Sequence, residues 1–101
     1  RGHILENVVY LELLRRGNKI WTGTSRNSEV DFVCKTPSGD MEYYQVAWQM
    51  TDEKTEEREF GALEKIKDNY NKFLLTTDSF TQNRSSIKHL NVFNWLLETH
   101  Q

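Results

Sequence analysis

One cysteine, Cys34, is all the sequence holds, so an internal disulfide is excluded and zinc is left without a set of thiolates. A reducing, intracellular compartment, the cytoplasm, is the expected setting. Proline is as scarce, with Pro37 alone, and it stands inside a turn. No apolar run approaches the roughly 18 residues that a membrane span needs, and no signal-peptide pattern is present. Charge of one sign is missing too. Thirteen Lys and Arg against fifteen Asp and Glu leave a net charge of −2, which gives no global pull on a nucleic-acid backbone. What remains is 101 residues with 37% hydrophobic and 12% aromatic content, enough for one soluble domain, residues 1–101, and not for two. Arg1 opens the sequence, and an apolar helical pattern follows almost at once. The chain therefore reads as a piece cut from a longer protein.

Residues 3–16 read as a helix. Ile4, Leu5, Val8, Val9, Tyr10, Leu11, Leu13 and Leu14 cover most of its circumference, as in a helix buried on more than one side. Arg15 and Arg16 suit its last turn and Gly17 its C-terminal cap. Residues 19–22 read as a short strand and 29–35 as a second. Thr36-Pro37-Ser38-Gly39-Asp40 supplies turn chemistry for a hairpin into a third strand over 41–48. Thr51 or Asp52 can cap a helix running to about Asn69, with one narrow apolar face (Phe60, Leu63, Ile66) and charge elsewhere. Residues 73–77 form a consecutively apolar inner strand, 78–86 a polar loop and 87–90 a short strand. Asn91 caps a final helix. The order α-β-β-β-α-β-(β)-α predicts an α/β or α+β fold around a mixed central sheet flanked by helices.

Three polar residues stand at or beside positions where that pattern calls for apolar ones. Glu6 falls between Tyr10 and Leu13 on the helix projection, which puts its carboxylate either in a partly enclosed site or at the helix edge in the first turn, where the dipole favours negative charge. Asp31 lies between Val30 and Phe32, although Asp is depleted in strand interiors, so an edge position, a hydrogen-bonded partner or a metal should offset the misfit. Glu29 and Lys35 share its face by period two. Gln45 shares a face with Ala47, while Tyr44 and Val46 share the other. A lone buried glutamine usually satisfies neighbouring backbone or side-chain groups. Taken together, two carboxylates and a third oxygen at the middle of a sheet can hold Mg²⁺, with Glu6 and Asp31 as metal ligands. Such an ion activates water against a phosphodiester, and a lysine two residues past the third ligand would complete the set.

The order of elements resembles the PD-(D/E)XK nuclease-like (restriction-endonuclease-like) fold, whose core runs αβββαβ. The stretches Gly2–Leu14, Glu29–Val33, Gln45–Ala47 and Arg58–Leu63 resemble one family in particular, the uncharacterised C-terminal domain of prokaryotic P-loop (AAA-type) ATPases. The resemblance implies that an N-terminal ATPase portion of the same chain is the first partner. The sequence itself holds no G-x-x-x-x-G-K-[ST] phosphate loop. Carried over position by position, Glu6 matches the helix carboxylate and Asp31 the strand aspartate. Gln45 stands where the nuclease motif has Asp or Glu, and Ala47 where it has lysine. A methyl group cannot donate a hydrogen bond or offset charge, a loss on the order of 10²–10³ in rate. Lys19 and Lys35 are the substitutes nearest at hand, with no pattern to support either.

The resemblance thus implies an inherited fold with eroded chemistry: an accessory or regulatory domain without nuclease activity. A Mg²⁺-dependent DNA nuclease with a non-standard site is the alternative, favoured if Arg15, Arg16, Lys19 and Arg26 form a basic groove. A dimerisation module, with a second copy of the chain as partner, is the third reading and would place Trp48 or Trp95 in an interface. Trp21, Trp48 and Trp95 otherwise read as core or interface anchors. His3, His89 and His100 have no ligand spacing. The helix from Thr51 reads as a solvated face, with Arg58 as a candidate contact to a partner domain.

Overall fold

The computed structural model describes residues 2–23 and 30–98. The sequence order of elements is reproduced: α1 (Gly2–Arg15), β1 (Lys19–Thr22), β2 (Phe32–Lys35), β3 (Met41–Val46), α2 (Glu53–Glu64), β4 (Asn71–Thr76), β5 (Lys88–Asn91) and α3 (Val92–Leu97). The strands make one mixed sheet in the order β1-β2-β3-β4-β5. The first two pairings are antiparallel and the last two parallel, so the chain changes from hairpin connections to crossovers at β3. Fold class is therefore mixed α and β, with helices on both faces of the sheet.

Alternation along the strands divides the core in two. Phe32, Cys34, Tyr44, Val46 and Leu75 face one way and pack with Leu5, Val9 and Leu13 of α1 and Val92 and Trp95 of α3. Val33 and Leu74 face the other way, with Phe60 and Leu63 of α2 and Ile87. The consecutive apolar run of β4 has the explanation the sequence suggested, because Leu74 serves one core and Leu75 the other.

Caps fix the helix ends. Gly17, at φ +89°, closes α1 with Gly17 N–H donating to Leu14 O and Asn18 N–H to Leu13 O, the paired bonds of a Schellman turn. Asp52 accepts from Thr55 N–H at the start of α2, and Asn91 accepts from Phe93 and Asn94 N–H at the start of α3. In the loop before β5, Ser85 and Ser86 both take positive φ, the geometry of a type I′ turn, while Arg84 and Ile87 exchange backbone hydrogen bonds.

Several sequence expectations are corrected. The α1 helix buries one stripe, Leu5, Val9 and Leu13, and not several sides, because the sheet meets it on one side only. The β2 strand starts at Phe32, so Asp31 stands in a bend before the strand and not within it. The β3 strand stops at Val46, short of Trp48, where the chain leaves the sheet toward α2. The α2 helix ends at Glu64 with Lys65 as its cap, well before Asn69, while Ile66 still packs on the same core. Trp95 is a core residue, Trp21 half-buried and Trp48 exposed. Arg1, Arg26, Glu29 and His100 lie outside the described residues.

Candidate functional site

The site forms where β2 and β3 part. Regular pairing begins at Phe32 with Tyr44, leaving the next rung to be made by side chains. Asp31 N–H donates to Gln45 Oε1 at 3.0 Å, and Val46 N–H donates to Asp31 Oδ2 at 2.8 Å. An aspartate is tolerated at this point because its carboxylate replaces a missing ladder acceptor, which removes the misfit seen in the sequence. Gln45, on the α2 side of the sheet, uses its other end as well, with Nε2 donating to Glu59 Oε1 at 3.0 Å. The amide orientation follows from its neighbours, since an oxygen must face the Asp31 N–H and an NH₂ must face the Glu59 carboxylate.

Among the described residues, no hydrogen bond joins Glu6, on α1, to Asp31 or Gln45, and Glu6 acts on Asp31 through its charge, as Glu59 also does. Burial is the main cause that raises the Asp31 carboxyl, from its usual 3.8 to about 6, opposed by the Val46 N–H and assisted by Glu6 and Glu59. Asp31 and Gln45, far apart in the chain, are joined by a hydrogen bond, while Glu6 acts on Asp31 from α1 through its charge alone.

Glu59 is the member that sequence reasoning overlooked. Its signal was present: Glu59 lies four residues before Leu63, so a carboxylate occupies the buried stripe of α2. Ala47 presents a methyl group and spends its backbone N–H on Leu75 O. Neither lysine substitutes for the missing ammonium. Lys19 pairs with Lys35, and Lys35 with Met41, at the end of the hairpin remote from Gln45. Of the four cations expected to line a basic groove, Arg26 lies outside the described residues and the other three have partners within the chain. Arg15 and Arg16 both grip Glu12, Arg16 donates to Trp95 O at 2.6 Å, and the Lys19 ammonium lies 5.7 Å from the Trp21 ring centre.

The oxygens expected to hold a divalent ion are in part already engaged. Gln45 oxygen is held by Asp31 N–H, one Asp31 oxygen by Val46 N–H and one Glu59 oxygen by the Gln45 amide. Among the described residues, no group of three or more His, Cys, Asp or Glu side chains could hold a metal. The amide bridges the Asp31 backbone N–H and the Glu59 carboxylate.

A second polar cluster sits beyond the carboxyl end of β4. His89, buried, accepts at Nδ1 from Gln82 N–H (3.3 Å), so Nε2 carries the proton and donates to Thr76 Oγ1 at 2.8 Å. A histidine in that tautomer cannot take a proton from Thr76, and burial holds its imidazole below the usual range. The Asp78 carboxylate, 3.8 Å from Nε2, accepts from Met50 N–H. These contacts pin the β4–β5 connection to the chain after β3.

Asp31 carries a pH signature. Between about pH 4 and pH 6 the folded chain keeps a proton that the unfolded chain has released, so stability falls as pH rises through that window and the loss is complete above it. After allowance for partial exposure the effect is on the order of 1–2 kcal/mol. Asp31→Asn keeps an oxygen for Val46 N–H and removes the charge. Melting the two proteins from pH 4 to pH 8 should show the variant more stable above pH 6 and without the slope. An unchanged slope would assign it to another group.

No helix of the described chain is long and apolar enough to cross a membrane. The chain matches no protein-family model and no solved structure. An uncharacterised protein of Haemophilus influenzae is 38% identical to it over 95 residues, a stretch that spans 93% of this chain and 23% of the relative's own length.

Proposed function

We propose that the chain is a restriction-endonuclease-like accessory domain of a longer prokaryotic P-loop ATPase, located in the cytoplasm, which contacts or regulates that ATPase and does not cut nucleic acid. The observation that carries this reading is the Gln45 amide. It is engaged at both ends, between Asp31 and Glu59, at the position where a nuclease of this fold has a metal-binding carboxylate. Ala47, two residues on, offers no ammonium to a phosphate. Glu6, Asp31 and Glu59 instead crowd the spot with negative charge, which repels a phosphodiester. The element order and the grouping of Glu6, Asp31 and Gln45 support the PD-(D/E)XK likeness, and a relative about four times longer than the matched stretch supports a larger parent protein.

The same grouping is what favours the second reading, a Mg²⁺-dependent DNA nuclease, and one assay separates the two. Full-length protein is incubated with supercoiled plasmid and Mg²⁺ or Mn²⁺. No nicking above the protein-free control is expected. Nicking that disappears in Asp31→Ala or Glu6→Gln overturns the proposal. For a dimerisation module the tryptophan in play is Trp48, since Trp95 is committed to the core.

A further inference from the structure

The outward side of α1 is apolar as well as the inward side. Ile4 is 68% exposed and Leu11 63%, with Val8 between them at helical spacing, turned away from buried Leu5, Val9 and Leu13. Leu97, 79% exposed, and Phe93 extend the apolar character to α3, which packs on the same face of the sheet. The opposite layer behaves differently. There α2 sends Glu53, Lys54, Glu56, Glu57 and Arg58 into solvent, as a helix with water on its outer side should. A helix apolar all round is one covered on both sides.

We infer that the outward stripe of α1 is a docking face for the remainder of a longer polypeptide, which packs an apolar helix or strand against Ile4, Val8 and Leu11. This rests on the reading of the chain as one domain of a larger ATPase. The Haemophilus influenzae relative supports the choice of occupant, because more than three-quarters of its length lies outside the matched stretch. Area argues against a second copy. A helix of 14 residues is about 21 Å long and about 10 Å wide, so its outer stripe offers roughly 200 Å², and adding the exposed Phe93 and Leu97 still leaves it short of the roughly 800 Å² per partner of a stable interface. A segment of the same polypeptide needs no such area, since tethering supplies it at an effective concentration of about millimolar.

Hydroxyl-radical footprinting of the full-length protein across a dilution series tests this, with Phe80, 80% exposed, as the internal reference for an open side chain. Ile4 and Leu11 should be labelled several-fold more slowly than their exposure in the isolated fold implies, equally at every concentration. Leu11→Asp, at a position outside the core, should raise labelling of Ile4 and Val8. Labelling at the open rate overturns the inference, and so does protection that fades on dilution, which would assign the face to a second copy. Protection of α1 in a polypeptide that hydrolyses no ATP would leave docking intact and remove the ATPase reading. ATP hydrolysis with an open α1 would do the reverse.

Discussion

Trp95→Ala is expected to cost about 3–5 kcal/mol, the range for truncating a buried aromatic. The indole is 3% exposed and joins α3 to the rest of the fold. Its ring lies 5.9 Å from that of Tyr44 on β3, the Arg16 guanidinium sits 4.1 Å above it, and its backbone oxygen accepts from the same Arg16. A six-residue helix has no stability of its own, so α3 stays in place through this side chain and Val92. Against a total of roughly 5–15 kcal/mol, the loss brings the domain close to its unfolding threshold. Urea denaturation should show a much lower midpoint with the slope retained. Phe93→Ala, two residues away and exposed, should move the midpoint little. Equal shifts in both variants would mean that α3 is not anchored by Trp95.

Gln45→Glu is the second large effect and the more informative one. It restores the acid of the nuclease motif but places a carboxylate 3.0 Å from Glu59, where an NH₂ now donates. At pH 8 the cost should be roughly 2–4 kcal/mol, because a buried donor is exchanged for a like charge. At pH 5 the new acid can hold its proton and donate it to Glu59 as the amide does, so the cost should shrink. Thermal melts at the two pH values check this. A variant as stable as the parent at pH 8 would mean that the amide bridge contributes nothing. If Mn²⁺ restores stability to the variant and leaves the parent unchanged, the amide is identified as what keeps the ion out.

Much of the architecture was legible because local chemistry and packing agree. Gly17 and Asn91 cap where their residue types suggest, the turn over 36–40 closes the hairpin, and β4 is apolar at consecutive positions because two cores claim it. Element ends were less legible. The β2 strand begins after Asp31 because a side-chain carboxylate takes over a backbone pairing, which residue propensity does not encode. The α1 helix misled for another reason: its pattern asks for cover on two sides, and the sheet supplies one.

At the site, Glu6, Asp31 and Gln45 stood out as polar residues in apolar surroundings, and the hydrogen bond between Asp31 and Gln45 joins two of them. Glu59 did not stand out, because a glutamate on a charged helix is unremarkable until the stripe it shares with Leu63 is drawn. Nor could spacing reveal that Gln45 would bond both neighbours at once. That depends on the gap between β3 and α2, a matter of packing.

Direct titration of the unaltered protein with Mn²⁺, followed by calorimetry at pH 7.5 (about neutral, where carboxylates are charged), addresses the amide bridge most simply. No saturable heat is expected from the parent, with measurable binding only after Gln45→Glu. Tight, stoichiometric binding to the parent that Asp31→Ala removes would contradict it, and would mean that the glutamine oxygen turns from the Asp31 N–H to a metal ion.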